Sequence, residues 1–325
     1  MNPDLNLDLS PALSPALSVV VPVYNGAATV GALVEAIGAL DIPGGHEIVL
    51  VNDGSADNSL DVCRSLLKTC PVPITVVNLS RNFGEHNAVL AGLREARGAH
   101  AVTMDDDLQN PASEVARLLA FAQQSGAEVV YTYYAKKEHA AWRNLGSHVT
   151  NRVADWVLDK PAGLYLSSFR CLSAFVVREV CRYAGPFPYI DGLILQVTQK
   201  VGRLEVAHLP RAAGQSNYTV RRLLRLFLSM FVNFSVMPLR ISTLAGLGLS
   251  FFGALAALMV VVEAVLFRPP AGWASVTVAV LLLSGVQLVL LGVIGEYLGR
   301  LYLTVNGKPQ SIVHEVERGG GADTK

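Results

Sequence analysis

The sequence is short of charge. Lys, Arg, Asp and Glu supply 16% of its 325 residues, while hydrophobic types supply 51%. Soluble domains carry about a quarter charged residues, so an apolar excess has to be housed somewhere. The formal net charge is +0, which removes the basic field that nucleic-acid binding relies on, and no nucleic-acid partner is expected. Acid is missing from Val206 through Val262, a stretch that holds five arginines; such a segment faces something anionic. The four cysteines, Cys63, Cys70, Cys171 and Cys181, lack the short paired spacings of a zinc site and read as buried small hydrophobes. Residues 1–16 have neither the basic start nor the apolar stretch of a secretory signal and read as a flexible tail. Also missing are a Gly-x-Gly-x-x-Gly turn after the first strand and a loop ending in Gly-Lys-Ser/Thr, which argues against dinucleotide and ATP binding. His86, His139 and His148 form no constellation with an acid, so nothing suggests a histidine-activated nucleophile.

The apolar excess lies in the C-terminal third. Residues 243–267 and 273–297 each approach the roughly 20 apolar residues that cross a bilayer, and their charged residues, Glu263 and Glu296, stand near their ends. Two transmembrane helices are expected there, joined by a hairpin too short for a domain. Arg221, Arg222, Arg225 and Arg240 precede the pair and Arg300 and Lys308 follow it, against Arg268 alone in the hairpin. That bias predicts that the large N-terminal region and both termini are cytoplasmic. In residues 219–240, Leu223, Leu224, Phe227, Leu228, Phe231 and Phe234 form one stripe opposite the arginines. The pattern predicts a helix lying in the headgroup layer against membrane lipids, with packing on the soluble region as the alternative. Residues 298–325 read as a cytoplasmic tail.

Residues 17–218 alternate between β-rich runs and helical windows. SVVVPVY is followed by a helix over 28–40, EIVLVND by a helix over 58–68, ITVVNLS by a helix over 86–96, and then comes AHAVTMDDD. The alternation predicts an α/β fold, with an open, mainly parallel sheet and helices on both faces. Ligands bind such sheets beyond the carboxyl ends of the strands. The polar residues gather there: Val23-Tyr24-Asn25, Asn52-Asp53-Gly54-Ser55, Arg81-Asn82-Phe83-Gly84 and Asp105-Asp106-Asp107.

Three adjacent carboxylates repel unless a cation or a proton relieves them. Oxygen ligands suit Mg²⁺ or Mn²⁺, ions commonly shared between one or two carboxylates and a substrate's phosphates, so a nucleoside diphosphate is implied. Strand alternation puts Asp105 and Asp107 on one side and Asp106 on the other, with the Gln109 carbonyl able to join the first pair. A solvated turn or a cap ahead of Pro111 and Ser113 is the competing reading. Asp53 offers two acceptor oxygens to a base or ribose, or it serves an ordinary Asp-Gly turn.

PVYN, VNDGS and DDDLQNP together resemble family 2 glycosyltransferases of the GT-A fold. LYLSSFR at 164–170, GQSNY at 214–218 and GEYLGRLY at 295–302 narrow the resemblance to the branch of dolichol-phosphate mannose synthases and bacterial undecaprenyl-phosphate sugar transferases. The similarity covers nearly the whole chain. It implies Pro22, Tyr24, Asp53 and Asp105 at the nucleotide, and Asp107 with Gln109 on the metal, making Asp105, Asp107 and Gln109 the catalytic set. It also implies Arg143, Ser167 and Arg170 near the acceptor phosphate, and Arg211, Ser216 and Tyr218 in a loop near the pyrophosphate. An Arg fork and a hydroxyl are what a phosphate monoester wants, although Arg143 alone also fits an ordinary surface arginine. Two departures bear on donor identity: Gly26-Ala27 stands where the branch often has Glu-Glu, and Asn217 where it usually has Lys.

The expected reaction is metal-dependent, inverting transfer of a sugar from a nucleotide-sugar, UDP-sugars being favoured, to a polyprenyl phosphate. The expected setting is a bacterial inner membrane, with a homo-oligomer as the working assembly. The alternatives are a catalytically silent scaffold assisting a flippase or another transferase, and a polysaccharide synthase of the same fold.

Overall fold

The computed structural model describes residues 14–134, 164–207, 209, 272–307 and 309–321, with isolated positions between 244 and 266. The chain forms two compact units, Met1–Asn217 with Pro309–Lys325, and Tyr218–Lys308.

Among the described residues the first unit is built on an eight-stranded sheet. In chain order the elements are β1 (Leu17–Val23), α1 (Val30–Gly38), β2 (His46–Asn52), α2 (Ser59–Thr69), β3 (Ile74–Leu79), α3 (Glu85–Glu95), β4 (His100–Thr103), α4 (Ser113–Ser125), β5 (Val129–Tyr134), β6 (Arg170–Ser173), α5 (Ala174–Cys181), α6 (Ile190–Val197), β7 (Val201–Val206) and β8 (Val313–Gly319). The sheet order is β7-β5-β6-β4-β1-β2-β3-β8. Strands β3, β2, β1 and β4 run parallel, as β5 and β7 do, whereas β6 and β8 run antiparallel to their neighbours. The sheet is mainly parallel, as expected, with one returning strand, β6 or β8, on each side of the parallel centre.

The central strands are unbroken apolar runs because helices cover both of their faces. Every residue of β2 is buried. Alternation sends Val19, Val21, Ile48 and Leu50 into one core with the inner stripes of α1 (Val30, Leu33, Val34, Ile37) and α4 (Val115, Leu118, Leu119, Ala122), the i, i+3, i+4, i+7 spacing of an amphipathic helix. Helix α3 packs on β1 and β2. At the start of these strands the buried Glu47 accepts from Ser18 Oγ at 2.7 Å, Arg97 N at 2.7 Å and Arg97 Nε at 2.9 Å, so this buried acid is paired at both oxygens. All four cysteines are free thiols, and burial pushes those of Cys63 and Cys171 up to about 12.

The C-terminal segment corrects the sequence reading. Residues 298–325 are not a tail: the helix α7 (Trp273–Val305) occupies their first part, and Val313–Gly319 is a strand pairing antiparallel with β3 from Ile74↔Gly319 to Leu79↔Val313. Its alternation of Val313, Glu315 and Glu317 with His314, Val316 and Arg318 is that of a charged edge strand. Arg64 of α2 bonds Glu315 and Glu317, each at 2.6 Å, and Gln310 takes Arg94 Nη2 at 2.8 Å while donating to the Tyr183 carbonyl at 2.7 Å.

In the second unit α7 is 33 residues long. Its portion Leu283–Val305 is, among the described residues, the one helix long and apolar enough to cross a membrane. It runs past the expected end at Tyr297. At about 1.5 Å per residue the whole helix exceeds a hydrocarbon layer of about 30 Å. Leu283, Leu288, Val289, Leu291, Ile294 and Leu298 are exposed on it. The described positions between 244 and 266 are helical and expose Leu247, Phe251, Phe252, Leu258 and Met259. The expected interfacial helix over 219–240 lies outside the described residues.

Candidate active site

The connection after β1 leads toward β2 and then β3, whereas β4 returns on the other side of β1. The strand order therefore reverses between β1 and β4, and a crevice opens at their carboxyl ends. Pro22 is half-buried in β1 opposite Val51, and Tyr24 beyond it is 52% exposed. Asn25 adopts φ 54°, a left-handed conformation that asparagine tolerates better than most residues. The turn is tied to the loop after β2: Asn25 N donates to Ser55 Oγ at 3.0 Å, Ala56 N to Asn25 Oδ1 at 2.8 Å, and Gly26 N to Ser59 Oγ at 2.9 Å.

Asp53 is only 3% exposed. Its two oxygens accept from Phe83 N at 2.7 Å and Gly84 N at 2.9 Å, fastening the loop after β3 to the end of β2. Burial raises its pKa, and the two backbone N–H groups oppose the rise. Gly54 lets the loops meet. It has φ +61°, and a Cβ there would lie 2.3 Å from the Arg81 carbonyl carbon, so neither the conformation nor the space admits a side chain. Arg81, named in the sequence only as part of a polar strand end, sets its guanidinium 4.7 Å from the centre of the Phe83 ring and brings a cation to this rim of the crevice.

Strand β4 ends at Thr103, so the acidic triplet lies on the following loop, not on the strand itself. Ser168 Oγ donates to Asp105 Oδ2 at 2.7 Å, and Thr103 Oγ1 holds the Ser168 carbonyl at 2.6 Å. Asp107 Oδ1 accepts from Gln109 N at 3.1 Å. Asp106 turns the other way, over Gly26; burial, and then the charges of Asp105 and Asp107, push its pKa up to about 7. Leu108 holds φ 59°, a conformation that costs a side-chain-bearing residue about 1–2 kcal/mol, and packs against the core. Gln109 is anchored to the residues after β7: Leu209 N donates to its carbonyl at 2.8 Å, and its Nε2 donates to the Leu209 carbonyl at 3.4 Å. Ser168, which touches Asp105, is a candidate site residue that sequence reasoning missed; the neighbouring Ser167 was singled out instead.

On the far side of β4 the expected acceptor residues divide. Ser167 is buried, accepting from Thr132 Oγ1 at 3.1 Å and Phe169 N at 3.2 Å. Arg170 is likewise buried: it is 2% exposed, its Nη1 is bonded to Asp191, and Tyr131 donates to the same carboxylate oxygen at 2.9 Å. It joins β6 to α6 through that carboxylate, and its Nε is buried without a partner among the described residues. A pocket of about 500 Å³ adjoins this region, lined by Tyr131, Thr132, Tyr133, Tyr134, Leu164, Tyr165 and Arg203. Tyr134 connects it to the acidic loop by donating to Asn110 Oδ1 at 3.0 Å. Arg143, Arg211, Ser216 and Tyr218 lie outside the described residues.

Among the described residues no group of three or more His, Cys, Asp and Glu is arranged to hold a metal by itself. Asp105 and Asp107 supply oxygen alone, and two carboxylates are the usual protein share for a hard divalent cation that keeps substrate phosphates and water as its other ligands. The donor set fits Mg²⁺ or Mn²⁺ held jointly with a diphosphate.

Residues 18–179 match the family model described as glycosyl transferase family 2. An undecaprenyl-phosphate 4-deoxy-4-formamido-L-arabinose transferase of Pseudomonas aeruginosa (strain LESB58) is 35% identical over 313 residues, spanning 92% of this chain and 90% of that protein. A transferase of the same description from Aeromonas hydrophila is 31% identical over 315 residues, spanning 92% and 93%. Among solved structures, a Mycobacterium tuberculosis glucosyl-3-phosphoglycerate synthase aligns with a TM-score of 0.49 and 16% identity, over 67% of this chain and 78% of that one.

Proposed function

The chain belongs to glycosyl transferase family 2, among its polyprenyl-phosphate sugar transferases, and from that premise we propose a metal-assisted, inverting transfer from a nucleoside-diphosphate sugar to undecaprenyl phosphate. One observation carries the reading: Asp105 and Asp107 stand where the strand order reverses, beside the turn after β1 and the loops tied by Asp53.

In this reading the nucleoside lies over the ends of β1, β2 and β3, against Pro22, Tyr24 and Asp53, with Arg81 at the rim. The diphosphate sits at Asp105 and Asp107, where Gln109 completes the loop. Beyond β4, Arg143, Ser167 and Arg170 address the acceptor phosphate, and Arg211, Ser216 and Tyr218 belong to a loop near the pyrophosphate. The Tyr-lined pocket lies on the acceptor side, since β5 and β7 are farther from the nucleotide strands than β4 is.

The chemistry asks little of a base. A phosphate monoester has its second ionisation near pH 6, so the acceptor arrives as an anion. Its oxygen bonds to the anomeric carbon as the bond from that carbon to the donor's β-phosphate oxygen breaks, and the electron pair leaves with the nucleoside diphosphate. Displacement from the opposite face inverts the centre, and no proton has to move. When bound, the cation offsets the charge gathering on the leaving diphosphate. What the protein contributes is placement: Ser168 orients Asp105, and Asp53 orients the loop over the nucleoside.

A multi-pass anchor in a bacterial inner membrane, with both termini cytoplasmic, accompanies this reading. Residues 309–325 belong to the same unit as the N-terminal region, which supports an even number of crossings between them. The arginine bias supports the cytoplasmic side.

The test is transfer of radiolabel from UDP-, GDP- and TDP-sugars into butanol-extractable lipid with Mg²⁺ or Mn²⁺. UDP-4-deoxy-4-formamido-L-arabinose comes first, because the relatives are described by that sugar. Acid-labile labelled lipid, lost in Asp107→Ala, is expected. A folded, membrane-inserted protein that labels no lipid from any donor would overturn the reading in favour of a scaffold.

A further inference from the structure

The middle carboxylate of the acidic loop occupies space that another residue leaves empty. A Cβ built on Gly26 would stand 1.9 Å from Asp106 Oδ2 and 2.9 Å from its Cγ, with Val23 Cγ1 at 3.3 Å. No side chain fits at position 26 while Asp106 stays where it is. The obstacle is space alone, since Gly26 is not among the glycines with positive φ.

Gly26 is not free to retreat. Its N–H donates to Ser59 Oγ at 2.9 Å, and its carbonyl accepts from Thr29 N and Val30 N, both at 3.0 Å, at the start of α1. On either side of it, Asn25 N is held by Ser55 and Ala27 N by Asp57 Oδ2 at 3.3 Å. The turn after β1 is pinned from the β2 side, and Asp106 is the piece that would have to give. Asp106 Oδ2 is buried with no hydrogen-bond partner among the described residues, while the Tyr24 backbone N–H bonds the same carboxylate, so packing and one contact to the turn together define its seat. Burying an unpaired polar atom costs free energy, and the arrangement calls for a compensating role.

We propose that Asp106 is a positioning residue whose seat on Gly26 locks the acidic loop to the nucleotide-side turn and keeps the middle carboxylate out of the crevice, leaving Asp105 and Asp107 to face the cation and the diphosphate. The proposal rests on the functional reading above. A side chain at position 26 evicts the Asp106 carboxylate toward Asp105 and Asp107. Three carboxylates together attract a bare divalent cation more strongly and repel a nucleoside diphosphate.

The test uses full-length protein in detergent with three variants: Gly26→Ala, Asp106→Ala and both together. The readouts are UDP affinity in the presence of Mn²⁺, the shift in Tm caused by Mn²⁺ alone, and Tm without ligand. Gly26→Ala is expected to weaken UDP binding by about tenfold or more, a change of about 1.4 kcal/mol, while enlarging the Tm shift with Mn²⁺ alone. Asp106→Ala weakens UDP binding less, and the double variant returns to the Asp106→Ala level because the methyl now has room. Wild-type UDP affinity in Gly26→Ala, or a double variant no better than Gly26→Ala, overturns the proposal. If Gly26→Ala does not fold, a double variant that folds supports the same coupling, and one that also fails overturns it. If the wild type binds no UDP with Mn²⁺, the functional reading fails, and the ligand-free Tm values still decide whether positions 26 and 106 are coupled.

Discussion

Ser168 donates its hydroxyl to Asp105 Oδ2 across 2.7 Å, while its own carbonyl is held by Thr103 at the end of β4. The contact crosses from the loop before β6 to the loop after β4, so one hydroxyl ties the β5–β6 side of the sheet to an acidic residue at the end of β4. A hydrogen bond to a charged group contributes about 1.5–3 kcal/mol. Ser168→Ala is therefore expected to lower kcat/KM roughly tenfold to a hundredfold, with a fall in Tm no larger than the loss of this one hydrogen bond accounts for. A loss under about twofold would remove Ser168 from the site.

Some of this was legible in the sequence. The alternation of apolar runs and helical windows marked β1 to β4 and α1 to α3, and the acidic triplet stood out because three adjacent carboxylates need a reason. The separation of Asp106 from its neighbours was expected from strand alternation, yet β4 stops at Thr103; the separation arises from the empty space at Gly26, which the letters alone do not display. The burial of Arg170 depends on Asp191 in α6, and pairing of that kind has no local signal. Strand β8 escaped for a similar reason: its contacts are remote in sequence, with Arg64 and Glu317 separated by 253 residues. A short charged run reads as a tail until its partner is known.

Asp53 joins the loops after β2 and β3 through two backbone N–H groups. Asp53→Ala strands both, at roughly 1–3 kcal/mol for each buried donor left unpaired, and should lower Tm and abolish UDP binding together. Asp53→Asn keeps one acceptor and sets an amide N–H against the other donor, so it should fall between wild type and Ala. Thermal unfolding and calorimetric UDP titration check this; an Asn variant matching wild type in both would show that the carboxylate is not the fastener.

His100 opens β4 with its Nδ1 buried and unpaired among the described residues. Desolvation lowers its pKa below the ordinary 6.5, opposed by the charge of Glu128. The folded state thus takes the proton later than the unfolded state does. Its stability contribution is complete above about pH 6.5 and declines as pH falls through that value toward the folded pKa. Replacing the imidazole by a group that does not titrate, His100→Gln, should shrink the drop in Tm between pH 7.5 and pH 5.5. The comparison is between the two slopes, so a uniform loss from imperfect packing does not affect it; parallel slopes would mean that His100 has no part in acid sensitivity.

The strand β8 closes the sheet on the side of β3, and its six register pairs satisfy backbone groups that would otherwise form an open edge. Its ion pairs with Arg64 are half-exposed, and solvent and salt screen pairs of that kind so that they contribute little. The ladder and the packing should therefore dominate the charges. Glu315→Ala with Glu317→Ala is expected to move Tm only slightly. A chain ending at Lys308 should lose both Tm and solubility in detergent, because β3 would present a bare, apolar edge to other molecules. Size-exclusion chromatography and thermal unfolding of the two variants separate the contributions. Were the charge variant as damaging as the truncation, β8 would be held by its salt bridges; were the truncation harmless, the strand would be dispensable to the catalytic unit.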